Sequence, residues 1–442
     1  MSVATPTLAG LPRLLAGVAE HGSLDLVAHL DVHGPAPELP APGRGRHSAL
    51  IDEVEAAGLR GRGGAGYPTA LKMHAVTAAR GRRRTMVVVN AAEGEPASLK
   101  DRTLLESTPH LVLDGAALAA RAVAAGEIVV CVGEDTPEVL ATVSAAAAER
   151  NRLRERIPMR IAAVPGGYVA GQESAIVNHL DGRAAKPRHT PPMIFERGVG
   201  GRPTLLSNAE TFAHVAQIAR HGAGWFRGLG TAEHPGSTLV TLGGPVVAPG
   251  VYEIGHGTSL RSLVDAAGGL TESLRAVLIG GYSGTWIGAS QAGDLTLDDG
   301  CLAPHGASTG AGVVALLGES ACPVAETVRV ASWLADESAG QCGPCIFGLD
   351  AVAGRLDEWA AGLAGDGREE QLRLASVIRG RGACRHPDGA LRFVASAIRV
   401  FAAEFADHGS RGPCGACTAA PSLPLPGYER GSPTPALAGA WR

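Results

Sequence analysis

Aromatic side chains are scarce in this 442-residue chain, at 4%. So few rings argue against the stacking platforms on which proteins carry unpaired bases. Lysine is rarer still: of 39 basic residues only Lys72, Lys100 and Lys186 are lysines, and the rest are arginine. The formal net charge is −4, without the basic patch of a nucleic-acid binder. No apolar run reaches the roughly 18 residues of a membrane span. Met1–Gly10 also lacks the charged start and apolar core of a secretory signal. The expectation is a cytoplasmic protein with no nucleic-acid partner. In such a chain eight cysteines point to metal ligands or isolated thiols rather than to a disulfide framework. The length exceeds one ordinary core, so two to four domains are expected.

Glycine, by contrast, is plentiful and locally concentrated. Five glycines fall between Gly58 and Gly66, with Arg60 and Arg62 among them, and Lys72 follows. Glycine has no Cβ and reaches backbone conformations closed to other residues, so a ligand can come close to the main chain. Successive N–H groups can cradle an anion, and Lys72 adds a point charge. The segment from Ala70 onward reads as helical, so the loop feeds a helix N-terminus. The spacing matches neither G-x-x-x-x-G-K-[ST] nor G-x-G-x-x-G after a strand. A plain Gly/Arg-rich surface loop is the alternative. The rarity of lysine favours a phosphate site, because this chain fills ordinary cationic positions with arginine.

Residues 1–48, with Pro35, Pro37, Pro40 and Pro42, read as an arm that lies on the body or stays mobile. From 49 to 232, strands such as Thr85–Val89 and Ile128–Val132 alternate with alanine-rich helical stretches, one of them Pro137–Arg156. This predicts an α/β domain with a mainly parallel sheet. Asn90-Ala91-Ala92-Glu93-Gly94-Glu95-Pro96 follows the first strand directly, which puts its acids at the ligand-binding edge of such a sheet. Residues 233–318 read as strand Thr238–Leu242, turn, strand Gly250–Ile254, helix Ser259–Ala267 and strand Ala276–Gly281, a β-grasp-like order. Residues 319–408 are helical and interrupted by cysteine motifs. The tail, 409–442, is expected to be extended.

Each local motif also has a plain reading. Glu93-Gly94-Glu95-Pro96 can be a polar turn, and Asn208 can cap a helix starting near Ala209. Cys342-x-x-Cys345 with the distant Cys384 suits an iron–sulfur cluster or zinc, although redox pairs share the short spacing. Cys131, in a strand, reads as core, and Cys301 and Cys322 read as structural for want of partners at ligand spacing.

The glycine loop, the Asn90 motif with Lys100-Asp101-Arg102, Pro109-His110, Gly167–Ala175, Gly201-Arg202-Pro203-Thr204 and Glu337–Cys345 occur in one order. That set, over roughly residues 50–405, resembles the NADH-oxidising flavoprotein subunit of respiratory complex I and its relatives in NAD-linked hydrogenases and formate dehydrogenases. The resemblance implies an FMN domain, an SLBB-type β-grasp domain and a helical iron–sulfur domain. It implies that Gly61, Arg62, Gly63, Gly64, Gly66 and Lys72 hold the FMN phosphate. Asn90, Glu93 and Glu95 would line the flavin ring, with Glu95 the acid on the nicotinamide side. Gly171, Gln172, Glu173, Ser207, Asn208 and Thr211 would complete the pocket, and Tyr67 would stack on NADH. Cys342, Cys345 and Cys384 would bind the cluster.

The family's first cluster cysteine is replaced here by Ala339. A three-iron cluster, a four-iron cluster with a non-cysteine ligand, or recruitment of Cys414 or Cys417 from the tail would each accommodate this. A site without any cluster is a further alternative. Ala92, Thr190 and Met193 likewise replace an acid, a lysine and an aromatic residue of the nicotinamide site. Gln172 and Ser207 replace a glutamate and an asparagine. Base stacking contributes about 1–3 kcal/mol per base, so each ring lost would weaken a dinucleotide roughly fivefold to 150-fold. The resemblance thus implies electron transfer from NADH or NADPH through FMN to a cluster and on to a ferredoxin-like or other redox partner, with a place at the periphery of a membrane complex open to it. The contrasting expectation is a non-catalytic assembly subunit with a degenerate nucleotide site. Zinc at the cysteine site is a third.

Overall fold

A computed structural model describes residues 10–39, 48–79, 81, 84–152 and 157–426. The first sheet consists of β1 (Thr85–Ala91), β2 (Ala125–Gly133), β3 (Met159–Val164) and β4 (Thr204–Asn208), all parallel, in the order β3-β2-β1-β4. Its central strands are valine-rich because both faces are covered. Val87, Val89, Ile128, Val130 and Val132 join the core beneath the helices Pro109–Ala122 and Ala209–Phe226. Met86, Val88, Val129, Cys131 and Leu206 face the opposite side, against Ile176 and Val177 of the helix Glu173–Leu180. Cys131 is therefore a core residue. Chain order reverses between β1 and β4, and there Asn90 and Asn208 lie in register at the C-terminal ends of their strands. Open α/β sheets bind ligands at such a switch point.

The second sheet comprises β5 (Ser237–Gly243), β6 (Gly250–Gly255), β7 (Leu274–Ile279), β8 (Thr285–Gly288) and β9 (Val313–Gly318), in the order β6-β5-β9-β7-β8. β5 and β9 are parallel, and the other pairs are antiparallel. The expected hairpin, helix and third strand are all present. The helix is Leu260–Ala266, capped by Ser259 Oγ on the Ser262 N–H at 3.0 Å. One face of this sheet, with Val240, Leu242, Val277 and Ile279, closes a core with that helix. Ala276, Leu278, Trp286 and Leu317 on the other face pack with the C-terminal helices, so the two domains share a core.

Those helices are Pro323–Asp336, Leu349–Ala360, Arg368–Ile378, His386–Val400 and Ala402–Arg411. The last runs past residue 408, and residues 412–426 fold back instead of forming the extended tail expected from the sequence. Ser422 and Leu423 N–H groups donate to Glu326 at 3.0 and 3.2 Å, and Leu423 is buried. Prolines and a CxxC gave this segment the look of a loose tail, and only the buried Glu326 and Arg329 that receive it reveal the dock. The first described stretch likewise lies on the body: the N–H groups of Arg13, Leu14 and Leu15 converge on the buried Glu253 carboxylate. Pro40, Pro42, the end of the helix expected to reach Arg156, and residues 427–442 lie outside the described residues. Among the described residues no helix is long and apolar enough to cross a membrane.

Candidate flavin and iron–sulfur site

The glycine loop is pinched at its base and open at its tip. Gly61 N–H donates to Tyr67 O at 2.9 Å, Thr69 N–H donates to Leu59 O at 2.9 Å, and the helix Thr69–Ala78 starts there. Gly64 and Gly66 turn the tip at φ of 97° and 60°, a region that disfavours residues with a Cβ. Gly63, Gly64 and Ala65 are exposed. The loop stands over the switch point, since a Cβ on Gly63 would lie 3.4 Å from the Asn208 Cβ. Arg62 turns the other way: its guanidinium donates to Ser237 O at 3.1 Å and its N–H to Thr211 Oγ1 at 2.9 Å. Arg62 and Thr211 thus anchor the loop from beneath. Lys72 Nζ reaches Glu173 Oε1 at 2.6 Å and Leu206 O at 2.9 Å.

The Asn90 motif forms the facing wall. Asn90 Nδ2 donates to Gly171 O at 2.8 Å, while its Oδ1 accepts from Ala92 N–H. A Cβ on Gly94 would sit 2.9 Å from Tyr168 O, so only glycine lets the two segments meet here. Glu93 accepts from Ser98 Oγ and from the N–H groups of Asp101 and Arg102. Burial, and then the charge of Asp101, push its carboxyl up to about 7. Glu95 is also buried and pushed up to about 7 by desolvation, against N–H bonds from Tyr282 at 2.8 Å and Ala97 at 3.4 Å. Gln172 Oε1 caps the helix Glu173–Leu180 through the Ser174 and Ala175 N–H groups. Asn208 is the helix cap its plain reading suggested, accepting from Glu210 N–H at 3.1 Å, and it also sits at the crevice. Ser207 is buried in β4, and Tyr67 is exposed at the loop's edge.

Sequence reasoning missed the support beneath this site. Lys100 is buried and binds Asp101 Oδ1 and Glu210 Oε2 at 2.9 Å each and Asn208 Oδ1 at 3.1 Å. Burial alone would lower the Lys100 pKa, but Asp101 and Glu210 hold it above the usual lysine value. Burial would raise the Glu210 carboxyl, but Lys100, His214 and Arg62 hold it well below the usual range. Lysine's rarity was the available signal. Tyr168 and Tyr282 were also missed as partners of Glu95. Tyr168 reaches Ser283 Oγ at 2.7 Å and packs edge-on against Trp333. These contacts cross domains, and no local spacing encodes them.

Cys345 is buried, and Cys342 and Cys384 are partly so. The Cys345 thiol is pushed up to about 12 by burial, with Cys342 and Cys384 adding to the shift. Ala339 is buried in the same turn, and its backbone bonds to Cys345. Cys414 and Cys417 do not join them. They group instead with Cys322 and His408, so Cys322, read as structural for want of partners at ligand spacing, has partners in the fold. Cys322 and Cys417 are 95 positions apart in sequence, and only the folded-back tail closes that gap.

A glycine loop over a switch point, facing buried acids, with a Cys342-x-x-Cys345 turn in an adjoining helical domain, is the arrangement of a flavin- and iron–sulfur-containing oxidoreductase subunit. Residues 54–217 match the family described as the Nuo51 FMN-binding domain. Residues 239–281 match the SLBB domain, and 325–408 the NADH-ubiquinone oxidoreductase-F iron–sulfur binding region. The chain is 34% identical over 373 residues to the second F-type subunit of NADH-quinone oxidoreductase of Rhizobium meliloti, covering 81% of this chain and 88% of that one. It is 30% identical to the NADP-reducing hydrogenase subunit HndC of Solidesulfovibrio fructosivorans, covering 84% and 78%. A crystal structure of NAD+-reducing [NiFe]-hydrogenase in the H2-reduced state superposes with a TM-score of 0.77 at 33% identity. That match covers 82% of this chain and 63% of the solved one. The chain belongs to the family of F-type subunits of NADH-quinone oxidoreductase. Its cofactors are FMN and an iron–sulfur cluster, and it is an oxidoreductase subunit of the NADH dehydrogenase type.

The residues present fit these groups. The exposed loop tip and Lys72 offer N–H and ammonium donors to a phosphate, and the crevice floor carries amide and carboxyl groups. Cys342 and Cys345 on one turn, with Cys384 from a separate segment, are thiols of the kind that bind iron–sulfur clusters.

Proposed function

We propose that this chain takes electrons from NADH or NADPH at the crevice between β1 and β4 and delivers them to a ferredoxin-like or other redox protein. The observation that carries this is the meeting of four distant segments at one switch point: Gly61–Lys72, Asn90–Glu95, Gly171–Glu173 and Ser207–Thr211. FMN, when bound, accepts two electrons and releases them singly. The loop glycines and Lys72 bind its phosphate, and Arg62 and Thr211 fix the loop. Asn90, Glu93, Gly171, Gln172, Glu173, Ser207 and Asn208 shape the ring site. Glu95 keeps its proton to about pH 7 and so can both donate to and accept from a nicotinamide carboxamide. Tyr67 provides the one exposed ring of the loop for a base to stack on. Cys342, Cys345 and Cys384 hold the cluster, with a solvent-derived or exogenous fourth ligand in place of the residue that Ala339 lacks. The same reading makes the chain a cytoplasmic subunit of a larger assembly.

An anaerobic absorbance spectrum followed by NADH titration tests this. Bleaching of the flavin band at near-stoichiometric NADH supports the reading. A flavin that stays oxidised with both NADH and NADPH excludes these donors. A colourless protein would favour the assembly subunit that the substitutions Ala92, Thr190 and Met193 otherwise suggest.

A further inference from the structure

Apart from the cofactor site, Cys322, His408, Cys414 and Cys417 gather in the C-terminal domain. Their sulfur and ring nitrogen atoms all lie within 4.8 Å of one another. Cys417 Sγ is 3.4 Å from Cys322 Sγ and 3.7 Å from Cys414 Sγ. His408 Nε2 is 3.5 Å from Cys322 Sγ and 3.8 Å from Cys417 Sγ. Disulfide sulfurs would be about 2.05 Å apart. A tetrahedron with Zn–S of about 2.3 Å and Zn–N of about 2.0–2.1 Å has edges of about 3.8 Å between sulfurs and about 3.5 Å from sulfur to nitrogen. The four measured edges lie close to those values.

The surroundings match as well. His408 Nδ1 lies 3.0 Å from Ala360 O, so Nδ1–H donates there and the Nε2 lone pair faces the thiols. Such an outer bond is how metal-ligating histidines are oriented. Ala325 N–H donates to Cys322 Sγ at 3.3 Å at the start of the 14-residue helix Pro323–Asp336, which favours the thiolate. Cys414 and Cys417 flank a tight turn closed by Cys417 N–H to Cys414 O at 3.0 Å, the short-spaced arm of a zinc knuckle.

We propose that these four residues form a structural Zn2+ site of Cys3His type, separate from the cluster of Cys342, Cys345 and Cys384. Three thiols release their protons to solvent on binding, the histidine stays neutral, and no open position is left for chemistry. The ion clamps the returning tail to two helices. The clamp reaches the flavin site through one residue: Tyr282 OH donates to Pro424 O at 2.5 Å, while its backbone N–H donates to Glu95.

The test measures zinc, iron and flavin together in the full chain purified anaerobically. We expect about one zinc per chain, lost in the Cys414→Ser/Cys417→Ser variant while iron and flavin contents stay as in the parent. His408→Cys keeps four donors and should keep the zinc. Cys345→Ser should lose iron and keep the zinc. Cobalt loaded in place of zinc should show thiolate charge-transfer absorbance that the double variant lacks. Zinc that persists in the double variant, iron rather than zinc at this site, or a Cys414–Cys417 disulfide in the anaerobic protein would each overturn the assignment.

Discussion

Replacing Lys100 with methionine should separate the role of the buried ion network from that of the surface around it. Met fills a similar volume but leaves the Asp101 and Glu210 carboxylates facing each other without their cation. Lys100 contacts both at 2.9 Å and is 3% exposed. Removing one partner of a buried ion pair costs about 3–5 kcal/mol, chiefly because a charge is left uncompensated. A domain of this size loses roughly 2–4 °C per kcal/mol, so the unfolding midpoint of the flavin domain should drop by about 6–20 °C. Asn208 loses its bond to Lys100 as well, so flavin content should fall with stability. Adding Glu210→Gln removes one of the two stranded charges and the repulsion between them. The double variant should therefore be less destabilised than the sum of the two single variants, by more than about 1 kcal/mol. Thermal unfolding of all four proteins, followed by flavin fluorescence, reads the midpoint shifts, and urea unfolding reads the coupling. Strict additivity, or a Lys100→Met midpoint within about 2 °C of the parent, would refute the idea that Lys100 neutralises this site.

Three further outcomes follow from the same geometry. Lys72→Ala should weaken FMN binding by about tenfold to 150-fold, the equivalent of one charged hydrogen bond of about 1.5–3 kcal/mol, and full flavin retention would argue against its phosphate role. Glu95 is pushed up to about 7 in the fold from an ordinary 4.5. The folded state therefore binds more protons over that window, and its contribution to stability falls as pH rises toward 7. Glu95→Gln should remove that slope, gaining about 2–3 kcal/mol relative to the parent between pH 5 and 8, and a pH-independent difference would contradict it. Ala339→Cys should supply the fourth thiolate beside Cys345, so that four irons survive ferricyanide where the parent drops to three by electron paramagnetic resonance. Equal iron retention in both proteins would show that another ligand already closes the corner.

Much of this protein was legible as sequence because its chemistry sits on local motifs. Successive glycines dictate a loop that a ligand can approach. A valine run ending in Asn90 dictates a buried strand with its acids at the edge. Cys342 and Cys345 are spaced for one turn, whereas only the family resemblance marks Ala339 as standing where a cysteine is usual. The β-hairpin, helix and strand of the second domain followed from alternation and turn residues alone. What the tertiary structure decided lies between segments far apart in the chain. The order β3-β2-β1-β4 made the crevice by setting Asn208 beside Asn90. Folding turned Arg62 inward, although its sequence neighbours suggested a phosphate ligand. Lys100 became a buried counterion because Asp101 and Glu210 close around it. Cys322, unpaired by any spacing, met Cys414 and Cys417 when the tail folded back onto Glu326 and Arg329. Spacing along a chain encodes contacts within a turn or a strand, whereas contacts across domains depend on which buried charges and apolar faces find partners, and those partners exist only once the chain has folded.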